Sequence, residues 1–188
     1  MVEFSLLLPL FVVIIFATID FSGYFGARLS VENAARQGAR TAVVQPLTAY
    51  PAAATTIQNT VIGFANDANM PSNVDCHWNG ATLSPTVYPP FSWTSGRGCI
   101  GIWYFELGQT GSPSLCAQWS LQNSEWGTWT LSGSTWSFAA ASAPTSPCVT
   151  AGNDVVVVGV GYTYSPLTPV PALSGLNTYG ETQLLEED

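Results

Sequence analysis

One stretch near the amino terminus limits what this chain can fold into more than any other feature. From Phe4 to Ala27 the sequence carries a single charge, at Asp20, and is dominated by Leu, Phe, Val and Ile. About 24 residues rise roughly 36 Å as an α-helix, which is enough to cross the ~30 Å hydrocarbon core of a bilayer. Because apolar side chains occur all around such a helix, we expect it to lie in lipid or inside an assembly.

After Ala27 the pattern changes to that of a basic, amphipathic helix. Four charged residues recur at every fourth position and therefore share one helix face: Arg28, Glu32, Arg36 and Arg40. Glu32 precedes Arg36 in the orientation that favours an intrahelical ion pair. We predict one continuous helix to about Val44, ended by Pro46. The charged row has three open interpretations: a solvated face, a ladder between subunits, or a contact with membrane phosphates.

Two residues in the apolar stretch are unusual for a simple membrane anchor. Glu3 places a carboxylate almost at the end of the apolar run, where a charge is costly unless it has a partner. The nearest cation is an α-amino group, its own or a neighbour's, and we predict that this pair forms during assembly; the alternative is an ordinary interfacial residue. Pro9 lies inside the run, where it removes a backbone hydrogen bond and loosens the helix.

The amino-terminal segment resembles the TadE/TadG-like pseudopilin family, whose members are relatives of type IV pilins. The shared elements are Val2-Glu3-Phe4, Pro9, Asp20-Phe21, Tyr24 and the sequence NAARQGAR from Asn33 to Arg40. The NAARQGAR segment is the most specific of them. The sequence DVVVVGVGYTYSPLTPVPALSG, from Asp154 to Gly175, is similar to the strand and "PLTP" ending of the same family.

The resemblance implies a structural subunit that waits in the cytoplasmic membrane and then polymerises through its first helix into an extracellular type IV or Tad-like filament for adhesion or surface contact. It implies prepilin peptidase and the pilus assembly machinery as partners. The assembly residues that it implies are Glu3, Pro9, Asp20, Arg28, Glu32, Arg36 and Arg40. The carboxylate is the third residue here, whereas it is typically the fifth in processed pilins, so the processing site stays open. The alternatives are a minor pseudopilin that primes or caps a filament, and a membrane-anchored adhesin or carbohydrate-binding module.

The charge distribution excludes one class of partner. The chain has 188 residues, four cationic side chains, no lysine and a net charge of −8. Three of the arginines lie in the first helix, and the only one beyond it is Arg97. Binding to nucleic acid requires a basic face, which the remaining sequence cannot form. Arginines just past a membrane helix favour the cytoplasmic side for that end, whereas a pilin-like topology places the head outside.

Four cysteines lie beyond the first helix: Cys76, Cys99, Cys116 and Cys148. An even number in a secreted segment predicts two disulfides, for which three connectivities are open. We favour Cys76–Cys99 together with Cys116–Cys148. A metal site is disfavoured because no ligand spacing follows the adjacent Cys76-His77 pair.

The remaining patterns predict a helical and β-stranded head, which gives an α+β fold. We place the first helix at residues 1–45 and the head at 46–188. A second helix is predicted over Ala52–Ala68, with Ile57, Val61, Phe64, Ala65 and Ala68 on its apolar face, against the first helix or the last strands. The predicted strands are Cys99–Leu107, Leu115–Leu121, a hairpin within Trp126–Phe138, Asp154–Tyr164 and Thr178–Leu185.

Catalysis is not expected from the composition of the head. His77 is the only histidine, and no nucleophile motif accompanies it. We therefore predict a protein that is not an enzyme and needs neither cofactor nor metal. Seven tryptophans are best explained by core and subunit packing, and the alternative is a sugar-binding face that uses Trp126, Trp129 and Trp136.

Overall fold

The computed structural model describes residues 2–44, 50–65, 74–78, 91–93, 98–106, 114–140, 154–166 and 176–185. Two helices come first, α1 (Val2–Val43) and α2 (Tyr50–Ala65). Eight strands follow: β1 (His77–Trp78), β2 (Phe91–Ser92), β3 (Gly98–Glu106), β4 (Ser114–Ser120), β5 (Glu125–Ser132), β6 (Thr135–Ala140), β7 (Asp154–Tyr164) and β8 (Leu176–Leu185).

The first helix is continuous over 42 residues, with Pro9 inside it, which confirms the prediction of one long helix. The second helix begins two residues earlier than predicted, and its described part ends at Ala65. It packs against α1 through buried Ile57, Val61 and Ala65. The prediction for Phe64 was wrong, because this side chain is 44% exposed; Ala68 lies outside the described residues.

Six strands form one sheet in the order β6-β5-β4-β3-β7-β8, and every neighbouring pair in it is antiparallel. The predicted strands and the predicted hairpin are all present, with ends shifted by up to two residues. Gly133 has a φ of 64° in the hairpin turn, a left-handed conformation that glycine adopts without strain. A two-stranded sheet of β1 and β2, which was not predicted, lies outside the large sheet.

Strand β7 is buried on both faces, which explains its run of valines. Alternate residues join two separate cores, because successive side chains of a strand point to opposite faces. Val156, Val158 and Val160 belong to the core that contains α1 and α2, whereas Val155 and Val157 belong to the core under β1 and β2. The sheet is therefore the middle of three layers, with the helices on one side.

Small residues let α1 come close to its neighbours. Ala34, Ala35 and Ala39 have no exposed surface, and a Cβ atom on Gly38 would lie 2.9 Å from Val158 and closer still to Val61. The small residues of the NAARQGAR segment thus let α1 pack closely against α2 and β7. In this way the segment holds the head against α1 within a single chain.

One disulfide is described, where two were expected. Cys76 and Cys99 are bonded, with Cα atoms 5.0 Å apart, which confirms the favoured pairing of these two residues. Cys148 lies outside the described residues, so the Cys116–Cys148 bridge stays a prediction.

Candidate functional site

Among the residues that the structure describes, none covers the amino-terminal part of α1 from Leu7 to Ile19. Its large apolar side chains are between 40% and 63% exposed: Leu7, Leu8, Leu10, Phe11, Val12, Val13, Ile14, Ile15, Phe16 and Ile19. We call residues 7–19 the uncovered segment. By length and composition, the helix from Leu7 to Val43 can cross a membrane.

The uncovered segment ends at Asp20, which is fully buried. The hydroxyl group of Tyr164, at the end of β7, donates a hydrogen bond to the Asp20 carbonyl oxygen over 3.1 Å. Tyr24 packs edge-to-face on the same ring, with the centroids 5.7 Å apart. Asp20, which was assigned to assembly from the sequence, therefore lies at the junction between head and helix.

Beyond Asp20, α1 still presents apolar residues on its outer face. Phe21, Phe25 and Leu29 are spaced four residues apart and are 49%, 54% and 61% exposed. We call these three residues the outer stripe. The outer stripe was not predicted, although the i, i+4, i+8 spacing is visible, because Phe21 and Phe25 lie within the apolar run and Leu29 lies beyond it, next to Arg28.

The charged row continues along the helix with an internal network. Arg28 Nε lies 3.2 Å from a carboxylate oxygen of Glu32, and Arg36 lies 4.0 Å from the other oxygen. The intrahelical Glu32–Arg36 pair is confirmed, although the Arg28 contact is the closer one. Arg40 is exposed. Such exposed pairs contribute little to stability, which leaves the arginines available to a partner.

The remaining predicted assembly residues lie near the amino-terminal end of α1. Glu3 and Pro9 are both within α1. The side chain of Glu3 is outside the described part of the structure, so its pairing with an α-amino group stays a prediction.

A cavity of about 300 Å³ opens on the opposite side of the sheet from α1. On one side it is lined by Asp75 and His77, and on the other by Trp129, Thr135 and Trp136 of the β5–β6 hairpin. The imidazole ring of His77 stacks on Trp136, with centroids 4.4 Å apart, and meets Trp129 edge-on at 4.5 Å. We call this space the His77 cavity.

The segment that carries His77 is held firmly to the sheet. The disulfide joins Cys76 to β3, and backbone hydrogen bonds link residues 74 and 76 to Ile100 at 3.0 and 3.1 Å. Gln118 on β4 donates to the carbonyl oxygen of Cys76. The Asp75 carboxylate accepts from the backbone N–H of Leu121 at 2.7 Å. The wall formed by His77 is therefore prearranged.

Burial changes the protonation of both residues in this wall. It lowers the pKa of His77 from 6.5 to about 4, so the ring is neutral at pH 7. Burial also raises the pKa of Asp75, and this effect exceeds the opposing hydrogen bonds from Leu121 and Ser120. The Nδ1 atom of His77 and the Nε1 atom of Trp129 are buried, and neither has a hydrogen-bond partner within the described part of the chain.

The three tryptophans proposed for a binding face divide between two places. Trp126 packs against the helix-side core and contacts Tyr104 and Trp119 at centroid distances of 5.0 and 5.2 Å, so its inclusion was wrong. Trp129 and Trp136 do line one cavity. The sequence analysis missed Asp75 and His77 as their neighbours, since no local pattern relates the two segments.

Within the part of the chain that the structure describes, no group of three His, Cys, Asp or Glu residues is arranged to hold a metal ion. The uncovered segment, the outer stripe and the charged row together form one long surface of α1, and the His77 cavity is a separate concave site on the head.

Comparison with known proteins bears on the first of these surfaces. Residues 1–40 match the family model described as TadE-like protein. Comparison with curated proteins and with solved structures found no match. The family match does not extend to Asp154–Gly175, where the resemblance stays a prediction. The resemblance recognised in residues 2–40 is thereby confirmed: over its first 40 residues this chain is similar to TadE-like proteins.

Proposed function

We propose that this chain is a pilin-like structural subunit of a Tad-type pilus system. The uncovered segment holds it in the cytoplasmic membrane and later packs with copies of itself in a filament on the cell surface. One observation carries the proposal: the large apolar side chains of α1 before Asp20 are exposed, whereas from Val31 onward one face of the same helix is buried under the head. The match to TadE-like proteins supports the link to Tad pili.

The exposed apolar surface is too large to be left in water. Ten large apolar side chains of the uncovered segment are roughly half exposed. Covering them contributes on the order of 10 kcal/mol, at about 1.5–3 kcal/mol for full burial of each. Residues 2–19 rise about 27 Å, close to the ~30 Å of a bilayer core. Both lipid and the helices of other subunits can cover this apolar segment.

The disulfide supports an extracytoplasmic head. Disulfide bonds such as Cys76–Cys99 persist in oxidising compartments and are rare in the cytosol. The arginines past the apolar run favour the opposite topology, but that rule applies to short loops, and large domains are translocated largely regardless of their charge. We therefore place residues 46–188 outside the cytoplasmic membrane.

Assembly through α1 would be heterologous, since different faces of successive helices meet, and such contacts produce open filaments. The outer stripe extends the apolar surface past Asp20 to Leu29, and the arginines next to it offer charge to a neighbouring subunit. In this role the chain is structural rather than catalytic, and the filament serves adhesion or surface contact.

The proposal is tested by shearing the surface of producing cells and examining the material by electron microscopy and mass spectrometry. We expect thin filaments in which this chain is the main component. Filaments in which it is a trace component would favour a minor pseudopilin that primes or caps assembly. If the chain stays in the membrane fraction and no filaments form, the proposal is wrong.

A matched pair of variants separates the helix surface from the head. Leu29→Asp places a charge in the outer stripe, where the side chain is 61% exposed, and Leu131→Asp does so on the head hairpin, where it is 55% exposed. We expect Leu29→Asp to reduce filament yield at least tenfold with unchanged membrane content, and Leu131→Asp to leave the yield unchanged. Equal effects of both variants would contradict assembly through α1.

A further inference from the structure

We propose that the His77 cavity binds a neutral sugar, one pyranose ring of a glycan, by stacking on tryptophan and hydrogen bonding to its polar rim. This inference goes beyond the proposed assembly role and does not rest on it, because the cavity is formed by the head alone.

The size and the lining of the cavity fit one small amphipathic ligand. Its volume of about 300 Å³ lies at the lower end of the range of small-molecule sites. Trp129 and Trp136 line the cavity and are partly exposed, and the exposed side chains of Gln122, Ser134 and Thr135 supply amide and hydroxyl groups at the rim. A pyranose ring has the matching pair of surfaces: an apolar C–H face, and an edge of hydroxyl groups.

His77 and Trp129, which line the cavity, each have a buried nitrogen atom, Nδ1 and Nε1, without a hydrogen-bond partner among the described residues. Buried polar atoms in folded proteins are nearly always paired, so an unpaired atom at a cavity calls for a partner from outside. The indole nitrogen can only donate, so the partner must be able to accept. A sugar hydroxyl both accepts and donates, so the hydroxyl groups of a sugar match the hydrogen-bonding capacity of both nitrogens.

The charge and the hydrogen-bonding groups of the cavity lining disfavour three other classes of ligand: anions, organic cations and wholly apolar molecules. No arginine or lysine lines the cavity among the described residues, whereas the Asp75 carboxylate does, so phosphates and acidic sugars are disfavoured. Organic cations stack well on tryptophan, but a quaternary ammonium has no acceptor for the indole N–H. A wholly apolar ligand would leave the rim hydroxyls and amide without partners.

The cavity wall requires little rearrangement on binding. The disulfide and the hydrogen bonds of residues 74–76 fix the side that carries His77. The other side is the β5–β6 hairpin, whose two strands are joined by a two-residue turn. In this hairpin Trp129 lies opposite Phe138, and Leu131 lies opposite Trp136. A prearranged site loses less conformational entropy when it binds, which favours affinity for a small ligand.

The experiment uses the full chain in detergent micelles and follows the imidazole proton signals by NMR. Because His77 is the only histidine, these signals report the cavity without further assignment. The probes are the methyl glycosides of glucose, galactose, mannose and N-acetylglucosamine, with choline and inorganic phosphate for comparison. A ligand of this size is expected to bind with a dissociation constant on the order of 1 mM.

We expect at least one methyl glycoside to shift the His77 signals in a saturable way. Trp136→Ala should weaken this binding at least tenfold, and Thr135→Ala, at an exposed position, should weaken it several-fold without affecting folding. Thr128→Ala is the control, since this exposed residue lies on the same hairpin, points to the opposite face of β5 from Trp129 and does not line the cavity; it should change the constant less than twofold.

Three results would overturn the inference: no shift with any glycoside, saturable binding of choline or phosphate in place of a sugar, and sugar binding that Trp136→Ala and Thr135→Ala leave intact. None of them bears on filament formation, which is assayed separately.

Discussion

The hydroxyl group of Tyr164 hydrogen bonds to the backbone carbonyl of Asp20 over 3.1 Å, across 144 positions of sequence. Tyr164 is the last residue of β7, and Asp20 is the first fully buried residue of α1 among those whose side chains are described. This contact marks where the described part of the head begins to cover the helix. The apolar helix before it is left for lipid or for other subunits.

Removing this hydrogen bond should loosen the junction without disturbing the core. We expect Tyr164→Phe to lower the free energy of unfolding by about 1 kcal/mol, the usual net contribution of one hydrogen bond. Tyr162→Phe is the control, because Tyr162 lies on the same face of β7 and no hydrogen bond of its hydroxyl is described. Thermal unfolding in detergent compares the two, and equal losses would contradict a specific role for the contact.

The close approach at Gly38 predicts an effect opposite to helix propensity. Alanine normally stabilises a helix relative to glycine by about 1 kcal/mol. At Gly38 the new Cβ would clash with Val61 and Val158, so Gly38→Ala should instead lower the unfolding free energy by about 1–3 kcal/mol. Denaturant titration of the full chain in detergent measures this change.

Gly63→Ala is the matched control for that variant. Gly63 lies in α2, and apart from the adjoining backbone of its own helix no described atom lies within 4 Å of a Cβ built there. We expect this variant to gain up to about 1 kcal/mol of stability from helix propensity alone. If Gly38→Ala stabilises the protein to the same extent, α1 does not pack as closely as the structure indicates.

The Cys76–Cys99 disulfide should stabilise the head through the loop that it closes. For a sequence separation of 23 residues, chain entropy predicts that the bond contributes about 3 kcal/mol. The double variant Cys76→Ala/Cys99→Ala should therefore have a markedly lower melting temperature than the wild-type chain under oxidising conditions. An unchanged melting temperature would show that residues 74–78 are held by their hydrogen bonds alone.

Burial of the neutral His77 ring predicts a dependence of stability on pH. The folded-state pKa of about 4 lies below the unfolded value of 6.5, so only the unfolded chain takes up a proton between these values. The contribution of the neutral His77 ring to the free energy of unfolding is complete above pH 6.5 and is lost as the pH falls toward 4. The loss is roughly 3 kcal/mol at most.

His77→Phe isolates this effect, because it keeps an aromatic ring against the two tryptophans and cannot titrate. The raised pKa of Asp75 acts in the opposite direction, since protonation at low pH favours the folded state. The difference between wild type and variant removes the Asp75 contribution. If the NMR titration of the single histidine gave a midpoint near 6.5, the ring would not be buried as described.

Glu3 is the residue for which assembly makes the sharpest prediction. Two opposite charges about 4 Å apart attract by several kcal/mol at an effective dielectric near 20. We expect Glu3→Ala and Glu3→Gln to leave the chain in the membrane fraction and to abolish sheared filaments, whereas Glu3→Asp retains the charge and some filaments. Normal filaments from Glu3→Ala would show that pairing with an α-amino group is not needed.

Local patterns were sufficient to predict most elements of the fold. The run of apolar residues before Asp20 specified a helix, and strand β7 was placed with the bounds that the structure has, Asp154–Tyr164. The hairpin was visible from alternation on both sides of Gly133. These features depend on neighbours in sequence, where side-chain period and turn geometry act directly.

Contacts between distant segments could not be predicted in the same way. Nothing in the sequence near His77 indicates Trp129 or Trp136, which are about 50 residues away and reach it only because β5 and β6 pair at one edge of the sheet. Trp126 and Trp129 look equivalent as residues of one strand, yet the alternation of β5 sends them to opposite faces of the sheet.

The amino-acid sequence alone determined that a long apolar helix leads the chain, because length and uninterrupted hydrophobicity are local properties. Only the tertiary structure decided how much of that helix the head covers. That boundary lies where β7 ends against α1, at the contact of Tyr164 with Asp20. The division of α1 into a buried and an uncovered part, on which the proposed assembly depends, follows from packing and not from composition.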